Sequence, residues 1–167
     1  MIVSRRQLIT TAVATAALPK IGLANPPIEV MWDDLIPPGV PYSEIIGEGA
    51  VDVVNDTWAP IFDDNATKLN PVLDGAYIRM PGYIIPMELS DKGVSSFILV
   101  PYVGACIHTP PPPANQLVFV TTQTPWPNDN LWDAVWVTGK MRNELQSTGL
   151  AATGYVLAAD EMEIYEW

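Results

Sequence analysis

Ala76-Tyr77-Ile78-Arg79-Met80-Pro81-Gly82-Tyr83-Ile84-Ile85-Pro86-Met87-Glu88 is the stretch on which the fold turns. Ile78, Met80 and Ile84 fall on one face of an extended chain, because successive strand side chains point to opposite faces. Asp74-Gly75 supplies a turn before the run and Asp91-Lys92-Gly93 a turn after it. Pro81-Gly82 interrupts it. Proline gives a ladder no donor and glycine lets another backbone come close, so the pair predicts a bulge or sharp coil in one long strand.

Working outward from this run, the same period of two recurs downstream. Val94 to Val100, Gln116 to Thr122, Ala134 to Arg142 and Tyr155 to Tyr165 read as four further strands, with one helical turn expected over Asp129 to Asp133. Five strands, the first long, coiled and broken by a mid-strand glycine, predict an all-β domain. A small OB-like five-stranded barrel over residues 73–167 is the first expectation and a β-sandwich the second. Upstream, residues 25–72 read as an irregular, proline-rich, peripheral N-terminal extension, punctuated by Pro26-Pro27, Pro37-Pro38 and Pro41. One short helix is expected in it, starting near Glu44 or Gly49 and ending near Asn55-Asp56.

Composition agrees. The chain has 167 residues, enough for one domain, and 17 of them are proline, which disfavours an all-α bundle. Hydrophobic content of 49% is too high for a disordered chain. Gly93 to Asn128 carries no formal charge, yet its best apolar run, Phe97 to Ile107, is far shorter than the roughly 20 residues of a membrane span. It reads as core strands, so no membrane span is expected.

The first 24 residues read as an export signal rather than as structure. Ser4-Arg5-Arg6-Gln7-Leu8-Ile9-Thr10 precedes the apolar run Thr11 to Leu18, and Gly22-Leu23-Ala24 places small residues for a cut after Ala24. The paired arginines sit where twin-arginine signals place them, against the plainer reading of an ordinary secretion signal. A periplasmic or secreted bacterial protein is expected. Cleavage would leave five Lys and Arg against 19 Asp and Glu, a net charge of about −14. A chain so acidic repels phosphate backbones and anionic lipid, which excludes nucleic acid as a partner and favours cations, neutral molecules or basic proteins.

Val100-Pro101-Tyr102-Val103-Gly104-Ala105-Cys106-Ile107-His108-Thr109-Pro110-Pro111-Pro112-Pro113-Ala114-Asn115-Gln116 is the most distinctive segment. With Pro81-Gly82-Tyr83-Ile84-Ile85-Pro86 and Leu131-Trp132-Asp133-Ala134-Val135-Trp136-Val137, it resembles the bacterial domain-of-unknown-function 3299 family, from about Trp32 to Tyr165. That resemblance implies a small exported bacterial protein and supplies no mechanism.

Chemistry therefore rests on Cys106 and His108, the only cysteine and the only histidine. Two positions apart on an extended chain, they share a face. A soft thiolate beside an imidazole suits zinc or copper. Two ligands do not complete a site, since zinc takes four, or three plus water. Glu88, Asp129 and Asp133 are the candidate additional ligands. Two other readings stand beside this one. Cys106 is a small buried hydrophobe and His108 a satisfied polar group, in which case the protein is a non-catalytic interaction module of an envelope or transport complex. Or Cys106 is a reactive thiol with His108 as its base, which needs a thiolate-stabilising setting that so acidic a chain hardly offers.

Other patterns fail. No glycine-rich phosphate loop, zincin motif or nucleophile elbow is present. Asp63, Asn65 and Thr67 begin like a calcium loop, but Lys68 stands where the turn glycine belongs and Asp74 where the closing glutamate belongs. The aromatics around Trp126, Trp132 and Trp136 read first as core and barrel-end plugs, and second as a stacking surface. Asp160 to Glu166 alternates charged and apolar residues, predicting a strand with one wet, negative face.

Overall fold

The computed structural model describes residues 26–52, 57–103, 112–127 and 134–166. They form nine strands. β1 (Ile28–Glu29), β4 (Tyr77–Pro86), β5 (Leu89–Ser90), β6 (Gly93–Val100), β7 (Val118–Trp126), β8 (Val135–Ser147) and β9 (Ala152–Ile164) make one mixed sheet in the order β1-β4-β8-β9-β7-β6-β5. β2 (Ile45–Asp52) and β3 (Thr57–Phe62) pair only with each other. The protein is all-β, and the five strands expected from periodicity are β4, β6, β7, β8 and β9.

β4 organises the sheet. Tyr77 to Gly82 pair antiparallel with β8, ending at Gly82 opposite Val135, and Tyr83 to Pro86 pair antiparallel with β6, beginning at Tyr83 opposite Val100. The partner changes at Pro81-Gly82, and no register shift accompanies it, so the sharp coil is present and the bulge is not. Glycine is required there: a Cβ on Gly82 would lie 2.7 Å from Leu99 Cγ and 2.9 Å from both Trp32 Cζ2 and the Val100 carbonyl oxygen. β7 and β9 run parallel, while the other long ladders are antiparallel.

The inner face follows the sequence alternation. Ile78, Met80 and Ile84 of β4 join Phe97 and Leu99 of β6, Val118 and Val120 of β7, Val135, Val137 and Met141 of β8, and Tyr155 and Leu157 of β9 in one core. Burying each such side chain contributes about 1.5–3 kcal/mol.

Two expectations for residues 25–72 need correction. No helix begins at Glu44 or Gly49: the segment is strand β2, interrupted by register shifts between Ile45 and Gly47 and between Gly47 and Ala50. Nor is the rest of the extension peripheral. Val30 and Leu35 are buried in the main core, and β1 adds a parallel pair to β4. Three short 3-10 turns, Trp32–Leu35, Asp64–Thr67 and Pro71–Leu73, carry the chain across the sheet.

Buried amides hold these turns. Asn115 donates from Nδ2 to the carbonyls of Asn65 (2.9 Å) and Lys68 (3.2 Å), and Gln116 donates from Nε2 to that of Trp32 (3.0 Å). Asn70 donates from Nδ2 to the Asp34 carbonyl at 2.8 Å, and Asn143 to the Asn70 carbonyl at 2.9 Å. The Tyr155 hydroxyl donates to the Leu35 carbonyl and accepts from the Asn70 N–H. Short turns lack an internal ladder, so side chains from the sheet satisfy their backbone groups instead.

Candidate functional site

A half-open cleft of about 180 Å³ lies where five separate stretches of chain meet. Trp32 comes from the first 3-10 turn, Pro81, Gly82 and Tyr83 from the partner change of β4, Pro101 from the end of β6, Ala134 from the start of β8 and Tyr165 from the end of β9. Each wall has a local cause. The bare Gly82 backbone admits the Trp32 indole, and Gln116 fixes the Trp32 carbonyl. The Tyr165 N–H donates to the Ala134 carbonyl at 2.8 Å, holding the last strand against the start of β8.

Behind the cleft stands a stack. The Tyr165 and Trp136 rings lie 5.0 Å apart at 44°, and the Arg79 guanidinium sits 4.2 Å from the Trp136 centroid. Arg79 also pairs with Glu163 at 2.8 Å. The guanidinium is thus engaged by a ring face and a carboxylate.

Among the described residues, the lining is aromatic, proline-rich and free of charged side chains. One carboxylate, that of Asp33, stands next in the chain to the lining. Asp33, which follows Trp32, and Tyr102, which follows Pro101, both act on Tyr42, whose phenol is pushed above its ordinary range by burial first and then by Tyr102 and Asp33. Such a cleft can hold a flat or ring-shaped group by stacking and can draw a cation to its edge. Among the described residues, the lining offers no carboxylate, thiol or imidazole for acid–base or nucleophilic chemistry.

Cys106 and His108 lie in 104–111, and Asp129 and Asp133 in 128–133, both outside the described residues; the helical turn expected at Asp129 to Asp133 and the indole of Trp132 lie there too. Pro101, a few residues before Cys106, and Ala134, directly after Asp133, line the same cleft. On the far side of 104–111, Pro112 to Leu117 are all buried.

Glu88 is described and stands apart. It is exposed between β4 and β5, five residues beyond Tyr83, and is not among the residues that line the cleft. Among the described residues no group of three or more His, Cys, Asp or Glu gathers as a metal shell would require. The Asp63 segment is a capped turn. Its carboxylate accepts from the Asn65 N–H and the Ser43 hydroxyl, both at 2.9 Å, and Lys68 Nζ donates to Asn65 Oδ1 at 2.7 Å. That is the geometry of an N-cap.

Sequence reasoning missed Trp32, Pro101, Ala134 and Tyr165 as neighbours, and Tyr83 entered it only as part of the Pro81–Pro86 segment. The available signal was Gly82 inside an apolar strand, which marks a close approach without saying what approaches.

An all-β domain with an aromatic cleft at the strand crossover is therefore the class of protein the fold and site define. A family model described as protein of unknown function (DUF3299) matches residues 32–164, and the chain belongs to that family. A crystal structure of a DUF3299 family protein from Pseudomonas aeruginosa PAO1 is similar to it, at 36% identity and a TM-score of 0.69 over 86% of this chain and 99% of that one. No curated protein matches the chain.

Proposed function

We propose that the protein is an exported accessory protein of the bacterial cell envelope that acts by binding, and that Cys106 and His108 hold a transition-metal ion, zinc or copper. One observation carries this reading: Pro101 and Ala134 line one cleft. Cys106 and His108 follow the first of these residues closely, and Asp129 and Asp133 precede the second. In sequence, each of these predicted ligands is therefore within seven residues of a residue that lines the cleft. A thiolate, an imidazole and one or two carboxylates make a donor set of the right size for zinc or copper. The Asp33 carboxylate, next in the chain to Trp32, favours a cation nearby.

We further propose that the five long strands form an OB-like barrel. The ladders support this, since pairing runs from β4 to β6, β7, β9 and β8 and returns to β4, with β7 and β9 parallel. On this reading the cleft sits at the barrel's seam, where β4 changes partner. Export fits the twin-arginine pattern at Arg5-Arg6, a route that carries folded proteins and so fits loading of a metal before export.

The test is metal content by mass spectrometry on protein purified from its native compartment, beside a Cys106→Ser, His108→Ala double variant. About one zinc or copper per chain, absent from the double variant, is the expected result. Wild-type protein that carries neither metal, or a variant that retains it, overturns the reading. Asp129→Asn and Asp133→Asn then identify the completing ligand by weakened retention against a chelator.

A further inference from the structure

The β2–β3 ribbon serves no purpose in the core. Its strands pair with each other and with no strand of the larger sheet, and its root is fixed by the Ser43 to Asp63 hydrogen bond and by the Asp63 N–H donating to the Glu44 carbonyl at 3.0 Å. Ile46 is 66% exposed, Val51 63% and Ile61 54%, and Ile45 and Trp58 are exposed beside them. A lone two-stranded ribbon is at best marginally stable in water, so one that displays this much apolar surface has something to cover it.

Its edges are blunted. Two register shifts break β2, and Pro60 removes a donor from β3, both devices that oppose indiscriminate strand addition. What the ribbon offers is its side chains. Charge decides the occupant. Between Asn25 and Thr67 the sequence holds nine Asp and Glu and no Lys or Arg. Among them Glu44 and Glu48 stand exposed on the ribbon and its root. A second copy would set acid against acid, a juxtaposition that disfavours association. Three of the five Lys and Arg beyond residue 24 also have partners elsewhere: Arg79 pairs with Glu163, Arg142 with Glu144 and Lys68 with Asn65.

We propose that the β2–β3 ribbon is a docking arm for another protein, one whose contact surface is an apolar patch ringed by Lys and Arg. The arm is small against the roughly 800 Å² per partner of a standard interface, so the contact is transient, and its rate of formation is steered by charge and depends on salt. The proposal uses none of the cleft residues and stands or falls separately from the metal reading.

The probe is a fluorescent peptide of alternating valine and lysine, measured by anisotropy against the full exported chain, with an alternating valine and glutamate peptide as counter-probe. The lysine peptide is expected to bind and the glutamate peptide not to bind. Rising salt weakens binding, and an Ile46→Ser, Ile61→Ser double variant, which keeps every acid, weakens it at least about tenfold. The melting temperature of that variant stays near wild type, because neither residue belongs to the core. Equal binding by variant and wild type means that bulk charge, not the ribbon, holds the peptide, and overturns the proposal. So does absence of binding, and so does dimerisation in sedimentation equilibrium that the double variant abolishes, which makes a second copy the occupant.

Discussion

Replacing Tyr155 with phenylalanine removes one oxygen from the point where the N-terminal segment is tied to the sheet. Tyr155 is 0% exposed, and its hydroxyl donates to the Leu35 carbonyl while accepting from the Asn70 N–H at 2.7 Å. Leu35 is itself fully buried and Asn70 nearly so, so water cannot replace the lost partner at either group without opening the structure. An unsatisfied buried group costs about 1–3 kcal/mol. With two such groups partly relaxed, the expected loss is about 2–3 kcal/mol, or a fall in Tm of roughly 4–12 °C for a domain of this size. Differential scanning calorimetry of Tyr155→Phe, beside Tyr102→Phe as an exposed control, measures it. A fall of less than about 2 °C refutes the claim that the segment is fastened through this hydroxyl, since surface substitutions alone stay within that range.

The same residue gives a pH test with a definite sign. Burial pushes the Tyr155 phenol up to about 12, opposed only in part by its bond from the Asn70 N–H. A folded-state value raised above the unfolded one means that the unfolded chain releases its proton first as pH rises. The contribution to stability is then complete below pH 10 and is lost between about pH 10 and pH 12. Wild-type stability should fall through that window more steeply than that of Tyr155→Phe, so the gap between them narrows. Parallel curves refute the assignment.

Two further outcomes follow from packing. Gly82→Ala sets a methyl 2.7 Å from Leu99 Cγ and 2.9 Å from Trp32 Cζ2, and is expected to cost about 1–3 kcal/mol and to change the tryptophan emission as the Trp32 indole is displaced; unchanged emission with unchanged Tm speaks against the close approach. Arg79→Lys keeps the charge facing Glu163 but loses the flat guanidinium 4.2 Å from the Trp136 centroid, and should lower stability by about 0.5–1 kcal/mol in chemical denaturation, while Arg79→Met loses the ion pair as well and only slightly more stability, because Glu163 is half exposed.

The five long strands could be read from the sequence because each buries one face, and a period of two is the direct imprint of that burial. Ile78, Met80 and Ile84 carry it in β4, and all three are buried. β2 could not be read this way. Its two register shifts reset the alternation within eight residues, and Gly47, Glu48, Gly49 and Ala50 are poor strand formers, so an unburied ribbon left no pattern to find. Val30 and Leu35 escaped for the opposite reason: each is a single buried residue between turns, too short a stretch to show any period. The cleft was hidden by topology. Its seven lining residues come from positions between 32 and 165, and no local pattern relates Trp32 to Gly82 or Pro101 to Ala134. The Cys-x-His pair was singled out because cysteine and histidine are chemically distinctive without any pattern, and it lies outside the described residues.

The acidic, base-free stretch from Asn25 to Thr67 bears on both proposals, and the physical chemistry of each keeps them separable. Coordination by Cys106 and His108 requires a thiolate and a neutral imidazole, so metal retention should weaken as pH falls and change little with salt. The ribbon contact depends on the attraction of its carboxylates for lysines, screened over about 8 Å at physiological ionic strength, so it should weaken with salt and change little across neutral pH. Metal loss and peptide binding should therefore vary independently: the Cys106→Ser, His108→Ala variant should bind the lysine peptide normally, and the Ile46→Ser, Ile61→Ser variant should keep its metal. If stripping the metal instead changes peptide affinity, the two sites share a free energy of coupling and by linkage the peptide must change metal affinity by the same factor. The segment from Trp32 to Asp63 would then be the element to examine, because it joins the cleft to the root of the ribbon through Leu35, Tyr42 and Ser43.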